Sequence, residues 1–225
     1  MKNNLVKNRA MYIIALFILS INFTFSQIDQ INDKCIWISR DELINKESIK
    51  SALIFASESG FNKVFLQVRG RGDAFYNSEI VVKNEMVDKN FDPLKYAVEL
   101  SDTLDIEIHA WINCYILWSA NVLPINKSHI LHTNPLWTET DIYGKSDSRI
   151  NLEVQKSPSW EGIYLSPLNL EVNQYLREVI REIYQEYNIN GIHLDYIRYQ
   201  DEYYGFHRDG RKEFDMLFDV DPLDI

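Results

Sequence analysis

Short β-branched runs alternate with helical patterns along this chain, and that order limits the fold more than any other feature. Cys35-Ile36-Trp37-Ile38 reads as a strand, Glu47 to Ser59 as a helix closed by Gly60, and Asn62 to Val68 as a second strand. Asp92 as N-cap with Pro93 at the first helical position opens a helix over Asp92 to Leu104. Ile106 to Asn113 is a third strand, Asn169 to Tyr187 the longest helix, Gly191 to Tyr196 a fourth strand, and Arg208 to Phe218 a further helix. Alternation of this kind places parallel strands inside a layer of helices. Between the third strand and the longest helix lies Cys114 to Gly162, rich in Asn, Ser, Pro and Trp. A stretch that long is expected to be a functional loop region, not a passive connection.

A barrel and a doubly wound sheet share this pattern. The first strand-to-helix turn carries Ser39, Arg40 and Asp41 where a dinucleotide fold needs GxGxxG, and Arg69-Gly70-Arg71-Gly72-Asp73 lacks the third glycine and leads into no immediate helix. A complete (β/α)8 barrel takes ~250 residues, whereas only four strands are used by Tyr196. The chain therefore reads as α/β, a partial (β/α)8 barrel of about the first four β/α units.

The first 26 residues are a separate physical object. Lys2, Lys7 and Arg9 precede the uncharged run Ala10 to Ile21, and Thr24-Phe25-Ser26 offers a small-x-small cleavage site. Residues 1–26 are expected to be a signal peptide, 27–33 a short linker and 34–225 the barrel part, giving an exported protein with no stable membrane span after cleavage. With 23 Lys+Arg against 33 Asp+Glu the net charge is -10, so nucleic acid is not an expected partner. Cys35 and Cys114 form no CxxC or CxxH pair and are expected to be free thiols.

Strand parity sorts the candidate functional residues. Val64, Leu66 and Val68 share one face of the second strand, with Phe65, Gln67 and Arg69 on the other. Ile106, Ile108, Ala110 and Ile112 oppose Glu107, His109, Trp111 and Asn113; Ile192, Leu194 and Tyr196 oppose His193 and Asp195. One face of each strand is aliphatic and suits covering helices. The other is polar and aromatic, and its polar residues gather toward the C-terminal strand ends, where barrel enzymes build their sites. Asp195 is the leading candidate, because a carboxylate there must be paired or working; a salt bridge to Arg69 or Arg198 is the structural alternative. His109 and His193 are either interior imidazoles or substrate contacts. There is no HxH on the first strand, no carboxylate cluster and no GxSxG elbow, so no metal and no cofactor is expected. Aromatics such as Tyr115, Trp118, Trp160, Tyr164, Tyr203 and Tyr204 crowd the presumed rim, and flat aromatic surfaces beside carboxylates and amides suit sugar rings.

The segments FLQVRGRGDAFY (65–76), FDPLKYAVEL (91–100), EIHAWIN (107–113), YLSPLNLEVNQYLREVI (164–180) and NGIHLDYIRY (190–199) together resemble the glycosyl hydrolase-like family 10 domain. The resemblance runs over essentially Lys34 to Ile225. It implies a TIM-type barrel hydrolysing glycosidic bonds of a polysaccharide or oligosaccharide, either envelope glycan such as peptidoglycan strands or imported glycan. It also implies that Asp195 is the catalytic acidic position, that Arg69, Asp73, His109, Trp111 and Asn113 line the cleft, and that further strands come after these in full-length members. Tyr115, His193, Tyr196 and Arg198 join the substrate-binding set. Glycoside hydrolysis normally uses two carboxyl groups; Asp195 can be nucleophile or general acid, its partner is expected from a later strand, and Asp73 is the in-chain alternative. The rival reading is a noncatalytic carbohydrate-binding protein or an inactive truncated remnant.

Overall fold

The computed structural model describes residues 32–154 and 160–225; the expected signal peptide and most of the expected linker lie outside them. Residues 34–225 form one compact unit. Its centre is a four-stranded parallel sheet of β1 (Cys35–Ile38), β2 (Lys63–Arg69), β3 (Glu107–Asn113) and β6 (Gly191–Asp195), in the spatial order β1-β2-β3-β6. The helices α1 (Lys46–Glu58), α2 (Pro93–Leu104) and α4 (Leu170–Glu186) occupy the intervals between these strands. This is the α/β arrangement of the first four β/α units of a barrel, with β1 and β6 as its edges.

Each helix begins where its sequence dictates. The Asn45 side chain caps α1, Asp92 caps α2 by accepting from the Lys95 N–H at 3.1 Å, and Asn169 caps α4 through two N–H groups at 2.9 and 3.1 Å. Helix α1 ends before Gly60, whose φ of 77° is the left-handed stop that glycine adopts without penalty. One stripe of each helix is buried: Ile49, Leu53 and Ala56 on α1, Leu94, Ala97 and Ser101 on α2, and Val172, Leu176, Val179 and Ile183 on α4. The apolar members join Val64, Leu66, Val68, Ile108, Ala110 and Ile112 in one hydrophobic cluster. Each fully buried Val, Leu or Ile side chain there contributes about 1.5–3 kcal/mol. On edge strand β6 the aliphatic face is less covered, and Leu194 is 39% exposed.

The long stretch from 114 onward is more ordered than its composition suggests. It holds two short antiparallel strands, β4 (Ile116–Trp118) and β5 (Ile163–Tyr164), and the single-turn helix α3 (Ile130–Thr133). Strands of two or three residues carry no readable period, which is why the sequence pattern passes over them. Two buried acids fasten this stretch to the segment after β6. Asp147 accepts the Tyr164 N–H at 3.0 Å and the Tyr204 hydroxyl at 3.3 Å; Glu139 accepts the Ser166 hydroxyl, the Thr140 N–H and the Gly205 N–H. Burial pushes both carboxyls upward, Asp147 to about 7, against the hydrogen bonds that favour the anion. The last helix, α5 (Arg208–Phe218), is capped by His207.

These anchors have measurable consequences for stability. Asp92 caps α2 and also accepts the Tyr187 hydroxyl at 2.7 Å, joining α2 to the end of α4; Asp92→Ala should lower stability by about 1–2 kcal/mol in urea unfolding. The folded state holds the Asp147 proton up to about pH 7, whereas an unfolded Asp titrates at about 3.9. The Asp147 contribution to stability is therefore fully present below pH 4 and is lost as pH rises toward 7. Comparing urea midpoints from pH 4 to 8, Asp147→Asn should remove this component and flatten the profile over that window.

Candidate active site

The register of the parallel ladder assembles the polar face of the sheet in layers. Trp37 pairs with Phe65, Phe65 with His109 and His109 with Gly191; one layer further on, Gln67 pairs with Trp111 and Trp111 with His193; then Asn113 pairs with Asp195. Lower layers are aromatic. Trp37 stacks on Phe65 with ring centroids 4.8 Å apart, and Phe65 meets His109 at 5.1 Å and His193 at 4.9 Å. A Cβ on Gly191 would stand 2.4 Å from His109 Nδ1, so the missing side chain is what leaves room for that imidazole. His109 Nε2 in turn lies 3.2 Å from Glu107, which places His109 at the base of the sheet.

Asp195 ends β6 at the opposite, C-terminal edge. Trp111 Nε1 donates to Asp195 Oδ2 at 3.1 Å and the Tyr196 N–H donates to Oδ1 at 2.7 Å. Both carboxylate oxygens are thereby oriented, and the group remains partly exposed, with lone pairs left to meet a ligand. The Asp195 carbonyl accepts the Cys114 N–H at 2.8 Å, locking the ends of β3 and β6 together. His193 stands between Trp37 and Trp111, accepting the Trp37 Nε1 hydrogen at 3.4 Å, and its ring meets Trp111 edge-on at 6.2 Å. Among the described residues no salt bridge reaches Asp195 from Arg69 or Arg198, so the structural alternative for Asp195 is not realised.

Tyr196 comes after Asp195 with φ 52°, a left-handed conformation away from any helix end that costs about 1–2 kcal/mol for a residue with a side chain. This turn sends the chain sharply off the strand end. Arg198 then reaches Glu161 with two hydrogen bonds, 3.0 and 2.7 Å, and lies over the Tyr196 ring at 5.2 Å. Burial alone would raise the Glu161 carboxyl, but hydrogen bonds from Tyr164 and Arg198 hold it below its usual range. Sequence reasoning does not single out Glu161, because it lies on the irregular loop, where no periodicity marks it.

The other sequence candidates fall in distinct places. Arg69 is fully buried; one terminal nitrogen donates to the Asn113 and Cys114 carbonyls, while Nε and the other terminal nitrogen have no hydrogen-bond partner among the described residues. Asn113, also buried, accepts from Gln67 and donates to the Gly70 carbonyl. These two hold the strand ends and do not present themselves to solvent. Tyr115 donates to Asn173 at the start of α4, at 2.8 Å. Asp73 accepts from Asn84 at 2.6 Å in the wall of a cavity of about 310 Å³ that also includes Arg40, Arg71 and Trp118 but not Asp195. Burial and then the neighbouring Arg40 hold Arg71 below its usual value. Trp111, His193 and Asp195 are thus brought together, with Tyr196 and Arg198 beside them. Cys35 and Cys114 are both free. Among the described residues no group of His, Cys, Asp and Glu is arranged to hold a metal ion, and no helix is long and apolar enough to cross a membrane.

Comparison with known proteins agrees with this architecture. Residues 30–215 match the family model Glycosyl hydrolase-like 10. The glycosyl hydrolase YngK of Bacillus subtilis is 23% identical over an alignment of 215 positions that covers 86% of this chain and 38% of that protein; the chain spans little more than a third of that relative's length. Among solved structures, a hypothetical protein from Ruminiclostridium thermocellum superposes with TM-score 0.56 at 14% identity, covering 78% of this chain and 82% of that one. The alpha-L-fucosidase isoenzyme 2 from Paenibacillus thiaminolyticus does so with TM-score 0.56 at 16% identity, covering 79% of this chain and 23% of that one. At these identities the structural likeness bears on fold alone, and the family rests on the match over residues 30–215: this chain belongs to the glycosyl hydrolase-like 10 family.

Proposed function

We propose that this chain carries the glycan-binding and nucleophile half of an exported glycoside hydrolase acting on a polysaccharide or oligosaccharide, with Asp195 as the catalytic carboxylate. The observation that carries the reading is the fixed, partly exposed Asp195 at the C-terminal end of β6, with both oxygens held by Trp111 and Tyr196. In a barrel that is where substrate meets the protein. A carboxylate oriented in this way can attack or stabilise an oxocarbenium-like anomeric carbon. Trp111 and His193, set edge to face, offer aromatic surface beside it.

Hydrolysis also requires a proton donor to the leaving oxygen. Glu161 is engaged by Arg198 in a two-bond pair, which suits it to hold the rim and not to give up a proton. Export is supported by Lys2, Lys7 and Arg9 ahead of the run from Ala10 to Ile21 and by Thr24-Phe25-Ser26.

The competing reading, glycan binding without hydrolysis, is favoured by the engagement of Glu161. Reducing-end release from glycan by the protein carrying this chain separates the two. Asp195→Asn should lower kcat at least about a hundredfold with an unchanged circular-dichroism spectrum. Trp111→Phe, which removes one hydrogen bond to that carboxylate, should lower it about tenfold. Wild-type rates in Asp195→Asn would remove Asp195 from the chemistry. Glycan binding with no release by the wild type would establish the binding reading.

A further inference from the structure

A second cleft lies beyond Arg198, where the turn around Asp141 meets the segment after β6. It encloses about 350 Å³ and is lined by Tyr143, Tyr203 and Tyr204 together with Asp141, Asp201 and Gln200, a volume within the range of small-molecule sites. Its two walls are joined by backbone. The Ile142 N–H donates to the Tyr203 carbonyl at 2.7 Å and the Phe206 N–H to the Thr140 carbonyl at 3.1 Å, with Asp141 and Tyr204 paired in antiparallel sense between them. Tyr204 is fixed further by its hydroxyl on Asp147. The cleft is therefore formed before any ligand arrives.

Its charge is one-sided. Asp141 spends Oδ1 on the Tyr143 and Lys145 N–H groups, and Asp201 spends Oδ1 on the Tyr203 N–H. The second oxygen of each takes no hydrogen bond among the described residues. Gln200 Oε1 is buried with no hydrogen-bond partner there either. The Gln200 amide, the Trp160 indole and the tyrosine hydroxyls can also donate, but the only charged lining groups among the described residues are the two carboxylates, and none is Lys, Arg or His. Tyr143 and Tyr203 stand 85% and 53% exposed at the mouth, offering flat apolar faces with hydroxyl edges. Free carboxylate oxygens between aromatic faces call for a ring with an apolar C–H face and hydroxyl or ammonium donors at its edge, and a carboxylate-bearing ring would meet two carboxylates and no cation.

We propose that this cleft is a second saccharide subsite that takes a neutral or amine-bearing sugar ring and rejects a uronate. The proposal rests on the glycan reading above and adds a place and a charge preference to it. The test is isothermal titration of the full chain with three probes: a glucose tetramer, a glucosamine tetramer and tetragalacturonate. At least one of the first two should bind, and its Kd should weaken about tenfold in Tyr203→Ala and in Asp201→Asn. The Asn variant keeps the Oδ1 acceptor for the Tyr203 N–H, so it preserves the loop. Tetragalacturonate should show no binding that either variant alters. Failure of both the glucose and the glucosamine tetramer to bind, wild-type affinity in both variants, or loss of tetragalacturonate binding in them would overturn the proposal. Reducing-end release measured on the same samples reports on Asp195 separately, so the two readings fail by different results.

Discussion

The candidate site exists because β3 pairs with β6 in one register. Parallel pairing places Trp111 beside His193 and Asn113 beside Asp195, and only then does the indole N–H reach the Asp195 carboxylate. A slip of β3 by one residue would turn Trp111 to the aliphatic side and bring Ile112 to the polar one. The burial of Ile108, Ala110 and Ile112 is what forbids that slip. Packing on one face of the sheet thus fixes the chemistry on the other.

Around this pair, buried polar groups act as fasteners. Arg69 sits with no exposed surface and gathers the Asn113 and Cys114 carbonyls, while its guanidinium lies 5.8 Å from the Tyr175 ring of α4. Asn113 bridges to the Gly70 carbonyl. Both therefore tie the ends of β2 and β3 and help to orient the loops that leave those strands. Asp147, through the Tyr204 hydroxyl, and Glu139, through the Gly205 N–H, perform the same task between the long loop and the residues after β6. Such groups are costly unless satisfied, and the two acids are held by donors from segments far away in the chain.

Much of this is legible in the residues. Alternating parity along VFLQ, EIHAWIN and GIHLD separates the aliphatic from the polar face, and Asp92-Pro93 and Gly60 mark helix ends, because each depends on local geometry; parity fails at Arg69, where a register shift after Gln67 pairs it with Ile112 and turns it toward Tyr175 of α4 and away from the polar face. The helix over Arg208 to Phe218 is found where its pattern places it. The features that escape such reading depend on contacts between distant segments. Glu161 is one acid among many until Arg198 folds onto it, 37 residues later in the chain. β4 and β5 are too short to carry a period, and Asp73 looks equivalent to other cleft candidates until Asn84 and Arg71 place it in a different cavity. Tyr196 signals its role only through a positive φ that no neighbouring residue announces.

Glycan is expected to meet this protein at the Asp195 end of the β3–β6 pair. Backbone hydrogen exchange with and without a bound oligosaccharide is the decisive measurement, made on a variant such as Asp195→Asn that leaves the ligand intact. Slowed exchange concentrated at residues 111–115 and 193–200 is the expected result. Protection confined to the cavity beside Asp73 and Arg71, with exchange at 193–200 unchanged, would refute that placement.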